Sequence, residues 1–271
     1  MRRREDDVLA QFCRALAILD ERPATIVDRP DRASADGHGC DAMIERNGTV
    51  HAIEHATIDS FPHQRLDDAR LDRVLQPIVD SIGHDYPALS IRIIIPTYAV
   101  GTGTHWDKLA TTFHRACVAA LGARVSGQDR VQIHPPGLFP IRIHSRDGLM
   151  PGCYIVRIDV DRLEKRRVDV IAATIVRKQH QLSRYRKDGL PTMLLLDFDD
   201  LANANAHVVA SAFAEAGDRV GPVDIDEVWL ADLTERPAWF YPVKLGPRRY
   251  PDLSEFRAFF EAQYRLNKAP W

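Results

Sequence analysis

The chain of 271 residues reads as an α/β protein, and three segments predict it. Residues 6–20 carry Val8, Leu9, Phe12, Leu16, Ile18 and Leu19 mostly three or four apart, the spacing of an amphipathic helix. Residues 41–46 and 49–56 flank Asn47-Gly48, a dipeptide that readily takes positive φ, and so predict an antiparallel hairpin. Residues 168–186 read as a basic helix, and 191–198 as a buried strand after a turn at Lys187-Asp188-Gly189.

Lys and Arg number 36 against 38 Asp and Glu, with 45% hydrophobic and 27% charged residues. That composition suits a folded globular chain and excludes a disordered, collagenous or coiled-coil one. The length accommodates one domain with a large insertion. A formal charge of -2 gives no global attraction to nucleic acid or anionic lipid, so a polyanion site must be a local patch. Residues 157–187 supply a candidate, with ten Lys or Arg against four Asp or Glu. The longest purely apolar runs, such as Ile93-Ile94-Ile95, fall far short of the roughly 20 residues of a membrane helix. The start, Met1-Arg2-Arg3-Arg4-Glu5-Asp6-Asp7, turns acidic where an export signal is apolar, and Cys13, Cys40, Cys117 and Cys153 are scattered. Reduced thiols and a cytoplasmic location are the expectation.

The remaining elements follow from the same periodicities. Residues 24–27 form a short β-branched stretch, 29–39 a polar loop, 66–79 a helix, and 90–95 a buried strand ended by Pro96. Residues 104–121 predict a helix with Trp106, Leu109, Phe113, Cys117 and Leu121 on one stripe, Thr104 as its N-cap and Gly122 at its end. Segment 123–150, rich in Gly, Pro and His, reads as loops or irregular strands, and 152–158 as a strand. Helices are expected over about 202–216 and 253–266, with a strand at about 227–231.

The hairpin carries the chemistry. Pairing around Asn47-Gly48 sets Arg46 opposite Thr49 and, continued outward, Asp41 opposite Glu54. Side chains so opposed have Cβ atoms roughly 5 Å apart, and like charges there destabilise a sheet unless neutralised. A divalent cation would neutralise them. The bland alternative is two solvated carboxylates on an exposed face, but Glu54 lies between Ile53 and Ala56 in an apolar strand.

The order helix, short strand, acidic hairpin, insertion, basic helix, buried strand resembles the PD-(D/E)XK nuclease superfamily, with Asp41 as its first acid and Glu54 as its second. That resemblance implies a restriction-endonuclease-like core of a helix, three strands, a helix and a strand, drawn from about 5–58 and 168–199 of a single 1–271 domain. The segment 59–167 is then an insertion and 200–271 a C-terminal extension. Ile53-Glu54-His55-Ala56 departs from E-X-K, because Ala56 stands where the lysine belongs; it is similar to an E-H-T variant of bacterial members. Cys40 likewise replaces the proline before the first acid. The superfamily sometimes supplies its lysine from the second helix, where Lys178, Gln181 and Tyr185 lie within roughly 60° of one another. Gln181-Leu182-Ser183-Arg184-Tyr185 also resembles the Q-X-X-X-Y motif of the exonuclease branch.

The resemblance implies a nuclease, acting on DNA, whose Mg²⁺ or Mn²⁺ is held by Asp41, Glu54 and the backbone carbonyl of His55. Lys178 then serves the attacking water or the developing phosphorane charge. Gln181 and Tyr185 position the nucleic-acid backbone, and Arg177, Arg184, Arg186 and Lys187 attract phosphates. Glu5 or Asp6 is the candidate extra acid on the first helix. The alternative is a non-catalytic relative that binds nucleic acid or a partner protein, for which Ala56 marks a true loss. Lys178 Nζ within about 6 Å of the carboxylates divides the two.

Other chemistries fit less well. His51, His55 and His63 match no zinc spacing, and strand alternation turns the His55 side chain away from Glu54 toward a structural role. No G-X-S-X-G elbow surrounds Ser60, Ser81, Ser126 or Ser183. Gly101-Thr102-Gly103-Thr104 lacks the lysine of a phosphate loop and reads as a strand-to-helix turn. Asp197, Asp199 and Asp200 end a strand at what reads as a polar rim, suited to capping the next helix or, more remotely, to a second metal.

Overall fold

The structure is a computed structural model that describes residues 2–33, 39–59, 64–100, 105–123, 129–147, 151–158, 163–199, 205–234 and 237–250. It is a mixed α/β protein. In chain order the elements are α1 (Arg2–Asp20), β1 (Ala24–Asp28), α2 (Pro30–Ala33), β2 (Ala42–Arg46), β3 (Thr49–Thr57), α3 (Gln64–Val74), α4 (Gln76–Asp85) and β4 (Leu89–Ile95). A 3-10 turn (Thr97–Val100) then precedes α5 (Trp106–Gly122), β5 (Arg130–Ile133), β6 (Ile141–Asp147), β7 (Gly152–Arg157) and α6 (Leu163–Lys187). The chain continues through β8 (Thr192–Phe198), α7 (Ala206–Val220), β9 (Glu227–Asp232), β10 (Trp239–Leu245) and β11 (Arg248–Arg249). No helix of the described residues is long and apolar enough to cross a membrane.

The chain divides into two compact units, Met1–Ser60 with Glu164–Trp271, and Phe61–Leu163. The first is built on a seven-stranded sheet of order β1-β2-β3-β8-β9-β10-β11. Asn47 and Gly48 take φ of 53° and 75°, the paired positive values of a two-residue hairpin turn, and the register is the expected one, with Arg46 on Thr49 and Ala42 on Ile53. β8 runs parallel to both β3 and β9, and all seven of its residues are buried, as a central strand covered on both faces requires.

Strand alternation sorts the two cores. Ile44, Ile53, Met193, Leu195, Trp229 and Phe240 face α1, whose Leu9, Phe12 and Leu16 are fully buried. Ala52, Ala56, Leu194, Leu196, Val228 and Leu230 face the other way, against Ile171 and Ile175 of α6 and Val209 and Phe213 of α7. At the mouth of the hairpin Arg46 donates to Asp20 of α1 and to Glu227 of β9, tying the ends of three elements together.

The second unit has a four-stranded sheet of order β5-β6-β4-β7. Ile91, Ile93, Ile95, Ile141 and Ile143 point into a core completed by Leu75, Val79 and Ile82 of the α3–α4 pair and by Leu109, Phe113 and Cys117 of α5.

Several expectations shift in detail. The helix predicted over 66–79 is two helices broken at Leu75, with Pro77 in the first turn of α4, where its missing N–H costs nothing. The helix expected over 104–121 starts at Trp106 behind His105, which makes no side-chain cap. The 101–104 turn lies outside the described residues. Segment 123–150, read as loops or irregular strands, contains β5 and β6. The basic helix is longer than 168–186, and the helix expected over 202–216 is α7, capped by Asn205 accepting from Val208 N–H. β10 and β11 had no counterpart in the sequence reading. Pro242 obscures β10, which accommodates it beside a register shift. The expected helix over 253–266 lies outside the described residues.

Phe12 packs edge-on against Trp229 at 5.5 Å and tilted against Phe240 at 5.4 Å, linking α1 to β9 and β10. Phe12→Ala is expected to destabilise the first unit by about 3–5 kcal/mol, read from chemical denaturation, because both rings lose their partner at once.

Candidate active site

The carboxyl ends of the parallel strands β3 and β8 and the start of β2 meet at one edge of the seven-stranded sheet. Asp41 stands one residue before β2 and accepts the His55 backbone N–H through Oδ2 at 2.6 Å. Glu54, only 1% exposed, points to the α6 side of the sheet. Lys178 reaches down from α6, itself 8% exposed, and its Nζ is hydrogen-bonded to Glu54 Oε2 and lies 3.4 Å from Asp41 Oδ2. The acidic pair and the lysine thus come together, and the Lys178 distance falls well inside the expected limit.

The electrostatics of this trio are unbalanced. Two carboxylates face one ammonium in a place that water barely reaches. Burial, reinforced by the Asp41 charge and only partly offset by Lys178, pushes the Glu54 carboxyl up to about 8. Glu54 Oε1 is buried without a hydrogen-bond partner among the described residues. A buried acceptor with no donor is costly, and a cation would relieve it. No group of three or more His, Cys, Asp or Glu side chains among the described residues is arranged to hold a metal ion. A cation here would therefore rest on two carboxylates and main-chain oxygen, a set suited to a hard ion that keeps several waters.

The opposite face of β3 carries a second pair. His55 Nε2 lies 3.0 Å from Asp197 Oδ2 of β8, and the Asp197 side chain is fully buried. The His55 ring therefore turns away from Glu54, as alternation requires, into a structural contact. Asp197 is no rim residue: the parallel register sets it beside Thr57, inside the sheet. Asp199 is exposed, and Asp200 lies outside the described residues.

The first helix also contributes. Glu5 is pushed above the usual carboxylate range by burial and then by the nearby Asp41 charge, whereas Asp6 pairs with Arg29 at 2.9 Å and with Arg32. Of the two acids of α1, Glu5 is the one whose carboxyl feels the Asp41 charge. Arg29 also donates to the Asp41 backbone carbonyl at 3.2 Å and lies 3.9 Å from Glu5, so it braces the edge of the site. The sequence reading assigned Arg29 only to a polar loop.

The α6 face departs more from expectation. The Tyr185 ring is 8% exposed, and its hydroxyl accepts the Cys40 N–H at 2.9 Å, fixing the residue before Asp41. The Tyr185 hydroxyl, expected to position a nucleic-acid backbone, is engaged here in a contact inside the fold. Arg184 lies over the Tyr185 ring, 4.5 Å from its centroid, and donates to its hydroxyl at 2.6 Å. Arg186 pairs with Asp224 and Asp226, each at 2.9 Å. Arg177 and Lys187 are exposed, and Gln181 holds its Oε1 buried without a partner among the described residues. Much of the +6 of segment 157–187 is thus spent inside the protein: Arg157 pairs with Asp68 in the second unit, and Arg167 is only 2% exposed.

Gly39 explains why the Asp41 loop is tight. A Cβ there would meet the Pro30 carbonyl carbon at 2.1 Å and the Asp31 nitrogen at 2.2 Å, and Asp31 N–H donates to Cys40 O at 3.1 Å. The loop passes so close to α2 that only glycine fits.

No family model matches this chain, and no curated protein and no solved structure gives a match to it.

Between about pH 4.5 and 8 the folded chain holds a proton on Glu54 that the unfolded chain has released. Stability is therefore expected to fall as pH rises through that window, and Glu54→Gln to remove that part of the fall in denaturant titrations at successive pH values. Tyr185→Phe keeps the ring but loses the acceptor for Cys40 N–H. It should cost about 1 kcal/mol in the same assay while nucleic-acid affinity is unchanged, as an internal role demands.

Proposed function

We propose that this chain is a metal-dependent phosphodiester hydrolase acting on DNA, with a restriction-endonuclease-like core of the PD-(D/E)XK kind. The observation that carries the reading is Lys178, whose Nζ bonds Glu54 and sits 3.4 Å from Asp41, supplying from α6 the amine that Ala56 lacks. The order α1, antiparallel β1-β2-β3, α6 and a β8 parallel to β3 supports it, as does the placement of Glu5 near Asp41.

Asp41, Glu54 and the His55 carbonyl fit a Mg²⁺ or Mn²⁺ ion, given the orphaned Glu54 Oε1 and the excess of negative charge. Such an ion supplies Lewis acidity toward a phosphoryl oxygen and lowers the pKa of a bound water. To hold such an ion Glu54 would bind as the carboxylate, its proton passing to solvent. The His55 N–H holds Asp41 in a single orientation, so one carboxylate oxygen is committed to the fold and the other is left to bind. Lys178, released from its bond to Glu54, orients the attacking water through Nζ and offsets the charge gathering on the pentacovalent phosphorus. The snug burial of Lys178 and Glu54 keeps these interactions strong by excluding competing water.

One observation favours a rival. Lys178 already neutralises part of the acidic pair, so the trio would also serve as a structural ion pair in a protein that binds nucleic acid or another protein without cleaving it. Titration calorimetry of Mg²⁺ and Mn²⁺ into the protein and into Glu54→Ala, followed by incubation with plasmid DNA, separates the two. The nuclease reading expects metal heat and nicking in the wild type and neither in the variant. It also expects Lys178→Met to bind metal while losing at least about 100-fold in cleavage rate. A wild type that binds no divalent ion sinks the hydrolase.

A further inference from the structure

Among the described residues, a group of arginines without acidic partners lies on the sheet of the second unit. Across its sheet the register aligns Arg130 of β5 with His144 of β6, His144 with Arg92 of β4, and Arg92 with Tyr154 of β7. The result is one transverse row, arginine, histidine, arginine, tyrosine, spanning three inter-strand gaps or about 14 Å. The adjoining positions on the same face are Gln132 and Arg142 on one side and Arg146 on the other. This is the face away from the isoleucine core and from α3, α4 and α5.

Arg92, Arg130, Arg146 and Tyr154 are exposed, and Arg142 and His144 half-buried. None of the four arginines has an ion pair or hydrogen bond with a described residue, and no strand position on this face holds an acid. The guanidiniums are close enough to act on one another's neighbours: burial first, then Arg130, Arg142 and Arg92, hold His144 below the usual imidazole range. Like charges gathered without a counter-charge, in a chain whose formal total is -2, mark a surface kept for an anion. Tyr154, 51% exposed, lies back along its own strand beside Gly152, where a Cβ would come within 3.1 Å of the phenol oxygen. Glycine thus makes room for an aromatic ring laid on the sheet next to the arginines.

We propose that this sheet face binds single-stranded nucleic acid, the arginines taking successive phosphates and the Tyr154 ring stacking on an unpaired base. Exposed aromatics set in a basic, sequence-tolerant surface are how single strands are held, and a stacked duplex offers no open base face to such a ring. The surface is independent of the catalytic reading, since none of its residues belongs to the acidic trio.

The test is fluorescence anisotropy with labelled oligothymidylate, the matching oligouridylate and a DNA duplex, using the full chain without divalent metal so that no cleavage intervenes. Arg92→Gln/Arg142→Gln is expected to weaken single-strand binding at least tenfold and to reduce the slope of log K against log salt by about 1.4. Arg92→Lys/Arg142→Lys should keep most of the affinity, which separates lost charge from a damaged fold. Tyr154→Leu should weaken the single strands and leave the duplex unaffected. Oligothymidylate and oligouridylate distinguish DNA from RNA as the natural source of the strand. Unchanged affinity in the Gln pair, or tighter binding of polyglutamate or anionic vesicles than of either oligonucleotide, overturns the proposal. Binding that survives Glu54→Ala while cleavage is absent leaves it standing even if the hydrolase reading fails.

Discussion

The parallel pairing of β3 with β8 is the constraint on which the rest of the first unit depends. Parallel neighbours cannot be joined by a tight turn, so the chain must leave the sheet after β3 and return from the far side. It returns through α6, which crosses the face of the sheet that Glu54 occupies. The pairing register fixes Glu54 beside Leu194, and the crossover then has to cover that carboxylate. Because α6 covers it, Glu54 is dry; because Glu54 is dry, its carboxyl holds on to a proton, and Lys178 of the covering helix offsets only part of that tendency. Buried charge, helix placement and strand order are one problem with one solution.

The same pairing divides the labour of β3 between its two faces. Glu54 belongs to the α6 side, while His55 leans on Asp197 under α1. The backbone between them joins the sides, since the His55 N–H grips Asp41. Asp41 is in turn held from behind by Tyr185 through Cys40 and by Arg29 through its own carbonyl. The main chain at Asp41 is thus fixed by Tyr185 and Arg29, and its carboxylate by the His55 N–H and Lys178.

What was legible in the sequence was what local chemistry determines. Asn47-Gly48 dictated the turn, the turn dictated the register, and the register brought Asp41 and Glu54 to one edge. Helical periodicity likewise put Lys178 and Tyr185 on one face of α6, and only the structure shows both of them buried. What stayed hidden needs knowledge of distant partners. Asp197 reads as a polar strand end, and only pairing with β3 shows it buried against His55. The basic run at 157–187 reads as one patch, yet Asp68, Asp224 and Asp226, distant in sequence, neutralise members of it. The arginines of the second sheet went unnoticed for the converse reason: Arg92, Arg130 and Arg142 are spread over three segments, and a sheet alone sums them.

The side-chain alternation of β3 also sets which parts of this chain evolution can lengthen. One residue added between the Asn47-Gly48 turn and Glu54 would rotate the carboxylate from the α6 side into the apolar cluster around Phe12 and Ile53, so the hairpin is closed to insertions and deletions. The connection from β3 to α6 carries no such phase. Chain of any length that returns at the right point serves equally, and this protein has an entire compact unit, Phe61–Leu163, in that place. Ancestral gains of sequence are therefore expected to accumulate in the crossover, where they can acquire a surface of their own, and to be absent from the few residues that aim Glu54.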